Sequence, residues 1–379
     1  MNIYLDNAAT TKIDAEVVQV MTDCLKNRYG NPSSIHSFGR KSRSLIECSR
    51  RSIAELIKAS PQDIFFTSGG TEADNMAIRG AVRDAGIKNV ITSEIEHPAV
   101  INTISHLKRK NKANIHYVKL SPLGELDLDH LEELLMKNQN TLVSLMHANN
   151  EIGNLISLEK VSALCLKYKA LFHSDTVQTI GHIPISVEKT PLDFLTCSAH
   201  KLHGPKGVGF LYIKNSVNIT PLIHGGSQEN NMRGGTEYLH GIVGLSKAME
   251  IACKNMEDDK KHILKLKSRM IFRLKELVPK VCFNGLSEDL ENSLYTILSI
   301  SIPSQDYSDL LLFNLDLFGI ACSGGSACSS GSSSPSHVIS KLKGRADRIN
   351  IRFSFSKYNT IEEIDYVTKK LAYLVNKES

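Results

Sequence analysis

The chain has 379 residues, of which 41% are hydrophobic and 22% are charged, with a formal net charge of +5. This composition is ordinary for a globular protein, and so mild a charge does not predict binding to nucleic acid. No apolar run approaches the roughly 18 residues that a membrane span needs, and the N-terminal MNIYLDNAATT is not a signal sequence, so we expect a cytoplasmic protein. Eight scattered cysteines without CxxC spacing predict neither a zinc ribbon nor a disulfide framework.

Short apolar segments alternate with amphipathic helical segments through the first two thirds of the chain. The candidate strands are residues 63–67, 89–93, 115–120, 141–147, 170–175, 193–198 and 208–213. Segments such as ADNMAIRGAVRDAG and LEKVSALCLKYKA between them have the spacing of helices. This alternation predicts an α/β fold, with a mostly parallel seven-stranded sheet wrapped by helices.

The last third of the chain has a different pattern. Residues 237–278 predict one long helix, which is followed by TILSISIP, a short helix, FGIAC and NIRFSFS. We expect a large domain at 15–245 and a smaller α+β domain made of 1–14 and 246–379. The Gly- and Ser-rich segment 322–336 predicts a mobile loop in the smaller domain.

Polar residues that close an apolar strand are candidates for a site, because ligands of open α/β sheets bind beyond the carboxyl ends of the strands. SGGTEADN places Gly70 and Thr71 at a helix N-terminus, where free amides favour a phosphate, although a tight turn would look the same. His97 begins the next helix, a position that needs no ligand. Asn149 and Asn150 follow another strand, where they could also only brace a loop.

Two further strand ends carry an acid and a lysine. Asp175 closes ALFHSD, and a buried carboxylate requires a cationic partner unless it caps the following helix. Lys201 follows a buried strand, where desolvation and nearby positive charge would make its amine a nucleophile able to form a Schiff base. A phosphate turn, a buried acid and a nucleophilic lysine together indicate pyridoxal 5'-phosphate. A metal on His200 and His203 is disfavoured, because no third ligand stands nearby.

The ordered motifs along the chain carry a family resemblance. The strings are YLDNAATT, GNPSS, FTSGGTEADN, EHPAV, HANNEIG, HSDTVQTIGH, SAHKLHGPKGVG, MRGGT and GGSACSS with IRFSFS. In order and spacing they resemble the cysteine desulfurases of the class V aminotransferase group, over nearly the whole chain. The resemblance implies the fold-type I architecture of pyridoxal phosphate enzymes.

The resemblance also implies a role for each site residue. The cofactor contacts would be Gly70, Thr71, His97, Asn150, Asp175, Gln178, Ser198, His200, Lys201 and Thr236. Among these, Gln178 would bond the phenolic oxygen of the ring and His97 would stack on it. Thr236 would be lent by a second subunit, which implies a homodimer with shared sites. Asn31 and Arg352 would bind the substrate carboxylate, a task that suits a bidentate guanidinium.

By the same resemblance the nucleophile is Cys328 in the Gly- and Ser-rich segment. Lys201 or His97 would take the α-proton of L-cysteine, and Cys328 would take its sulfur as a persulfide while L-alanine leaves. An acceptor protein would then collect the sulfur for iron–sulfur assembly or thiolation, and Cys328 could serve as a transient ligand of a shared iron–sulfur cluster. About six residues on either side would let Cys328 swing on the order of 20 Å.

Some features depart from the family pattern and leave alternatives open. Asn230 and Asn231 stand where relatives usually have arginine and glycine, and the chain ends at Ser379 without the longer tail of housekeeping members. A selenocysteine lyase or an aminotransferase on the same fold is the nearest alternative activity. A non-catalytic sulfur carrier with a vestigial pocket is the alternative from another class.

Overall fold

The computed structural model describes residues 2–303, 310–324, 336–344 and 348–376. The helices are α1 (Ala15–Asn27), α2 (Ser37–Ile57), α3 (Gly70–Asp84), α4 (Pro98–Arg109), α5 (Leu128–Lys137), α6 (Leu158–Tyr168), α7 (Leu239–Leu277), α8 (Leu311–Leu317) and α9 (Ile361–Asn376). The strands are β1 (Ile3–Tyr4), β2 (Ile64–Thr67), β3 (Asn89–Thr92), β4 (Asn114–Tyr117), β5 (Thr141–Ser144), β6 (Leu171–Asp175), β7 (Phe194–Ser198), β8 (Gly209–Ile213), β9 (Cys282–Phe283), β10 (Ile297–Pro303), β11 (Ile320–Ala321) and β12 (Arg348–Ser354).

The main sheet has seven strands in the order β2-β8-β7-β6-β5-β3-β4. Only β8 runs antiparallel to its neighbours, β2 and β7, while the other pairs are parallel. Each of the seven candidate strands of the sequence analysis corresponds to one strand of this sheet. The predicted α/β fold with a mostly parallel seven-stranded sheet is therefore confirmed.

Helices cover both faces of the main sheet, because successive strand side chains point to opposite faces. Phe65 and Leu142 pack with α3 and α4 on one face. Their chain neighbours Phe66 and Val143 pack on the other face with α1, α2 and the first half of α7. Burial on both faces explains why the strands are continuous apolar runs rather than alternating ones.

A smaller set of strands lies beyond the long helix. β10 pairs antiparallel with β9 and β12, and β1 returns from the N-terminus to pair parallel with β11. These strands share a separate hydrophobic core with α8, α9 and the second half of α7, including Leu266 and Met270. The return of the N-terminus agrees with the sequence analysis, whereas the division at residues 14/15 and 245/246 stays a prediction.

The long helix α7 joins the two cores. Its 39 residues span about 58 Å at 1.5 Å per residue, and they match the predicted stretch 237–278 closely. Leu245 and Met249 contribute to the core of the main sheet, and Leu274 contributes to the other core. Within the described residues, no helix combines the length and the apolar character needed to cross a bilayer.

Candidate active site

A cavity of about 530 Å³ opens beyond the carboxyl ends of the parallel strands. Ten residues that the sequence analysis proposed for the site line it: Gly70, Thr71, His97, Asn150, Asp175, Gln178, Ser198, His200, Lys201 and Arg352. These positions span some 280 residues of sequence, so the sheet topology is what brings them together. The structure thus assembles the predicted constellation in one place, whereas the role of each residue stays a prediction.

Asp175 is the last residue of β6 and lies almost fully buried on the wall of the cavity. Its Oδ1 accepts a hydrogen bond from the Val177 amide at 2.9 Å, and within the described residues its Oδ2 has no hydrogen-bond donor. Burial, with the nearby Asp74 carboxylate, raises the pKa of Asp175 to about 6. A cationic N–H in the cavity would therefore complete the environment of this carboxylate. Residues 177–182 form turns, so Asp175 does not cap an α-helix.

Lys201 ends a short turn of 3-10 helix after β7 and points its amine into the same cavity. The Nζ atom donates to the carbonyl oxygens of Ala8 at 2.5 Å and Ala9 at 2.9 Å, in the N-terminal segment. Gln178 Nε2 donates to the Ala8 carbonyl as well, at 3.0 Å. The NAATT motif near the N-terminus thus contributes backbone to the site, a role that the sequence analysis did not assign.

The N-terminus of α3 forms one end of the cavity. Residues 68–71 line this end together with Ser198, and the first amides of a helix have no partner within it. Gly70 is required here because a Cβ at that position would lie 2.7 Å from Val177 Cγ2. Free amides and the helix dipole make this end suitable for a phosphate.

His200 lies beside that end of the cavity. Its Nδ1 hydrogen-bonds Thr10 Oγ1 at 3.2 Å. Burial lowers the pKa of His200 to about 4, assisted by the positive charges of Lys201 and Lys206. The ring is therefore neutral at pH 7, so it would contact a phosphate as a hydrogen-bonding group and not as a cation.

His97 combines two roles that the sequence analysis treated as alternatives. It is the N-cap of α4, where its Nδ1 accepts a hydrogen bond from the Ala99 amide at 3.1 Å, and it also lines the cavity. Burial is the main cause that lowers the pKa of His97. The cap fixes the ring orientation and leaves a neutral, flat imidazole facing the cavity.

The two asparagines after β5 separate in function. Asn149 braces the loop, since its Oδ1 accepts the amides of Glu151 and Ile152 and its Nδ2 donates to the Ile95 carbonyl. Asn150 instead lines the cavity. The two alternatives from the sequence, a residue of the site and a residue that braces the loop, therefore both occur, on adjacent asparagines.

Arg352 reaches the cavity from β12 and is buried. Its guanidinium contacts Asp6 Oδ1 at 2.9 Å and the Asn150 carbonyl at 2.8 Å, while its buried Nε has no hydrogen-bond acceptor among the described residues. The main chain of Arg352 also exchanges two hydrogen bonds with Ser323. These contacts fix the Arg352 guanidinium at the edge of the cavity, with Nε as a donor that has no acceptor among the described residues.

Asp74 on α3 is a cavity residue that the sequence analysis did not select. A carboxylate oxygen of Asp74, a ring nitrogen of His97 and a carboxylate oxygen of Asp175 all lie within 4.8 Å of one another. Burial raises the pKa of Asp74 to about 7. The signal in the sequence was its position on the apolar face of α3, where Ala73 and Ala77 are also buried.

Two of the predicted residues are not brought into the cavity. Asn31 is exposed, with its Oδ1 bonded to the Ser33 amide, and Thr236 is exposed on the loop before α7. Neither lines the cavity of the single chain. Cys328 lies outside the described residues. The assigned roles of these three residues stay predictions.

The residues present fit pyridoxal 5'-phosphate. The cavity offers amides for a phosphate at one end, the carboxylate of Asp175 with an open oxygen, and the amine of Lys201. These are the three chemical groups that the phosphate, the pyridine nitrogen and the aldehyde of that cofactor require. The match rests on the donor set of the cavity itself.

Comparisons with known proteins agree with this geometry. The model of the aminotransferase class-V family matches residues 3–367. The chain is 42% identical to "Cysteine desulfurase IscS" of Dictyoglomus turgidum, covering 99% of this chain and 95% of that protein. It is 40% identical to "Putative cysteine desulfurase IscS 1" of Bacillus subtilis, covering 99% of both.

Solved structures give the same result. A structure titled "NIFS-LIKE PROTEIN" superposes with a TM-score of 0.90 at 38% identity, over the full length of both chains. A structure titled "SspA in complex with cysteine" superposes with a TM-score of 0.80 at 29% identity, covering 95% of this chain and all of that one. From the family match, these relatives and the assembled cavity it follows that the chain belongs to the aminotransferase class-V family, among its cysteine desulfurases, whose cofactor is pyridoxal 5'-phosphate.

Proposed function

We propose that this chain removes sulfur from L-cysteine, releases L-alanine and carries the sulfur as a persulfide on Cys328. The observation that supports this most directly is the single cavity that joins the Lys201 amine, the Asp175 carboxylate and the Arg352 guanidinium. The overall step balances, because cysteine and a thiol have the same atoms as alanine and a persulfide. The relatives named as cysteine desulfurases support the same reaction.

Each cavity residue has a defined task in this reaction. When bound, pyridoxal 5'-phosphate supplies a ring that accepts electrons from the substrate Cα. Asp175 holds the proton on the pyridine nitrogen, and the amine of Lys201 moves the proton at the substrate Cα. His97 packs against the ring face in its neutral form. Together these residues bind and orient the cofactor and the substrate, and they hold or move protons at the pyridine nitrogen and at the substrate Cα.

Arg352 would hold the substrate carboxylate. Its Nε, which has no acceptor in the described part of the chain, and its forked NH groups are suited to two parallel hydrogen bonds with a carboxylate. Asp6 occupies one NH group in this structure, so substrate would share or exchange that contact. Asn31, exposed here, is proposed as the second carboxylate contact.

The position of Cys328 in the chain supports its role as nucleophile. The Ser323 hydroxyl bonds Asp6 Oδ1 at 2.6 Å, and its main chain bonds Arg352 at the cavity edge. Cys328 is five residues beyond Ser323, so chain length alone limits it to about 17 Å from that anchor. On the far side, the Ser336 hydroxyl bonds Glu151 Oε2 at 2.5 Å. Both flanks are therefore fixed on residues next to the cavity.

A neighbouring cysteine is a poor alternative nucleophile. Cys322 is also near Arg352, but burial raises the pKa of its thiol to about 12. The thiolate is the reactive form of cysteine, so Cys322 is inert at neutral pH. Cys197 lies in β7 with its thiol pKa raised well above normal by burial, and it is inert for the same reason.

We further propose that the protein works as a homodimer in the cytoplasm and passes sulfur to an acceptor protein for iron–sulfur assembly or thiolation. Exposed apolar side chains near Asn31 support an interface there: Tyr29, Ile35 and Phe38. The exposed Thr236 would reach the partner's phosphate from such an interface. The cysteines within the described residues are all unpaired, which fits a reducing compartment. A cluster ligand role of Cys328 belongs to the same proposal.

The test is incubation of the purified, cofactor-loaded protein with L-cysteine while alanine and the persulfide on Cys328 are measured by mass spectrometry. Cys328→Ala should abolish persulfide formation while the cofactor absorbance stays, and Cys322→Ala is the matched control that should keep both products. Alanine production that continues in Cys328→Ala would refute the role of that thiol and favour a lyase activity, whereas an aminotransferase would convert L-cysteine to its 2-oxo acid without releasing alanine from it. A protein without cofactor absorbance would point to the non-catalytic carrier.

A further inference from the structure

A buried acid on the wall of the cofactor cavity faces a buried histidine that lies behind it. Asp74 Oδ1 is 3.3 Å from His173 Nε2, and the two side chains are 1% and 0% exposed. His173 is on β6, two residues before Asp175, and Asp74 is on α3. The other ring nitrogen of His173, Nδ1, hydrogen-bonds Ser144 Oγ at 2.9 Å. Neither Asp74 Oδ1 nor His173 Nε2 has another hydrogen-bond partner in the described part of the chain.

The two groups are placed to hold one proton between them. A bare carboxylate facing a bare imidazole nitrogen in this buried position would leave an uncompensated charge, which is costly. When His173 Nδ1 carries its own hydrogen, toward Ser144 Oγ, one further proton between Asp74 Oδ1 and His173 Nε2 makes the pair neutral overall, whichever of these two atoms holds it. Burial raises the pKa of Asp74 and lowers the pKa of His173, so the neutral carboxyl and the neutral ring are the favoured pair.

The charge of the Asp74–His173 pair affects the neighbouring Asp175 carboxylate. Carboxylate oxygens of Asp74 and Asp175 are within 4.8 Å, so an ionised Asp74 would repel Asp175 and add a second negative charge beside the cofactor ring. Other titratable groups around Asp175 are His97 and Glu96 before α4, Lys201 after β7 and the thiol of Cys197. Burial raises the pKa of Glu96 to about 8, so that carboxyl is also largely neutral at pH 7.

We propose that Asp74 and His173 are positioning residues that share one proton, so that Asp175 alone supplies negative charge to the cofactor's pyridine nitrogen. The proposal rests on the proposed contact of Asp175 with that nitrogen. It extends the site by a neutral pair, of which Asp74 lines the cavity and His173 lies behind it. Because Asp74 and His173 are neutral together, the negative charge near the pyridine nitrogen is that of Asp175 alone.

The test is a spectroscopic pH titration of the cofactor-loaded protein, which follows the visible absorbance of the cofactor joined to Lys201. In His173→Gln the ring nitrogen that accepts the Asp74 proton is replaced by an amide whose N–H donates to Oδ1; a donor in place of an acceptor favours the carboxylate, and the proton leaves to solvent. A new negative charge at this depth should move the absorbance titration upward by about one pH unit. The double variant Asp74→Asn/His173→Gln removes that charge and should return the titration to the wild-type pH.

Two further variants keep the result decisive. Asp74→Asn alone should titrate like the wild type, because a neutral couple is replaced by a neutral couple. A downward movement in Asp74→Asn would show that Asp74 is ionised in the wild type and would overturn the proposal even if His173→Gln does not fold. His147→Gln is the matched control: His147 is buried and bonds Thr179 Oγ1 at 2.9 Å, and among the described residues no carboxylate lies within ion-pair distance of it, although Glu159 acts on it from farther away. It should leave the titration unchanged.

The results distinguish the proposed role of Asp74 and His173 from the proposed contact between Asp175 and the cofactor. Asp175→Asn should lower the pH of the absorbance titration. If it does so while His173→Gln matches the wild type, the couple is overturned and the site stands. If Asp175→Asn also has no effect, the proposed placement of the cofactor on Asp175 is overturned, and the couple's role falls with it. An upward movement that persists in the double variant would show a structural effect of His173→Gln and would overturn the shared proton.

Discussion

The loop before α7 is held by a buried ion pair, and replacing its acid should measurably destabilise the protein. Both oxygens of Glu229 are bonded by Arg50, at 2.8 and 2.9 Å, and the Phe66 amide adds a third hydrogen bond at 2.7 Å. The side chains of Arg50 and Glu229 are 4% and 3% exposed. Glu229 and the next two residues all have positive φ angles of 46°, 54° and 66°, a conformation that L-residues avoid. The ion pair therefore holds a strained turn in place.

The expected size of the effect follows from this environment. Removing one partner of a buried pair costs about 3–5 kcal/mol, because the remaining charge is left uncompensated. Glu229→Gln keeps an acceptor for the Phe66 amide, and Glu47 stays 3.4 Å from Arg50 Nε, so we take the lower end, about 3 kcal/mol. For 379 residues the unfolding entropy is about 0.8 kcal/mol/K, which converts this loss into a melting temperature about 4 °C lower.

Differential scanning calorimetry of the wild type and Glu229→Gln gives the measurement, and Glu229→Met, Arg50→Met and the double variant of these two provide the control. The double variant should be less destabilised than the sum of the two single variants, because it leaves no buried charge without a partner. Additive single effects, or a Glu229→Gln melting temperature within about 0.5 °C of the wild type, would refute the reasoning.

Three further variants test other parts of the structure. Lys267 is buried with its Nζ bonded to Ser293 Oγ, and burial lowers the pKa of Lys267 to about 7. The unfolded chain therefore binds the extra proton, and the unfolding free energy should rise between pH 7 and pH 10 in the wild type relative to Lys267→Met; denaturant titrations that show no such divergence would contradict the assignment. Arg352→Lys should raise KM for L-cysteine about 10-fold or more with less change in kcat, since a forked contact worth about 1.5–3 kcal/mol is lost; an unchanged KM in steady-state assays would exclude Arg352 from carboxylate binding. Gly70→Ala would place its Cβ 2.7 Å from Val177 Cγ2 at the phosphate end; cofactor affinity, measured by calorimetry on the apoprotein, should fall at least about 10-fold, and unchanged affinity would argue against a phosphate there.

The strand order of the main sheet could not be read from the chain, although the strands themselves could. Apolar runs such as 193–198 identify buried strands because both faces of a parallel sheet are covered. The antiparallel direction of β8 has no local signature, since its pairing with β2 and β7 is set by long-range packing. Strand ends were predicted too late at 115–120 and 141–147, where β4 and β5 stop at Tyr117 and Ser144. Pairing partners, and not residue propensities, determine where a strand ends.

Most candidate site residues could be predicted because each closes a strand or begins a helix. Asp175 and Lys201 are of that kind, and their strands bring them to one edge of the sheet. The carbonyls of Ala8 and Ala9 could not be found, since backbone atoms leave no residue-type signal and the segment lies more than 190 residues from Lys201. Contacts of this kind depend on how the N-terminus folds back, which no local pattern encodes.

The burial of Asp74 could have been predicted from its position in the sequence. In TEADNMAIRGAV two acids follow a helix start, and both would ordinarily be explained by favourable interaction with the helix dipole. Glu72 fits that view, since it lies in the first turn of α3 and pairs with Arg233. Asp74 instead falls on the same face as Gly70, Ala73, Ala77 and Ala81, all small and buried, at spacings of three and four residues. An ionisable residue on the small-residue face of a helix must be neutralised or paired inside the protein. His173, two residues before the cofactor acid on the adjacent strand, is the group that the fold supplies for it.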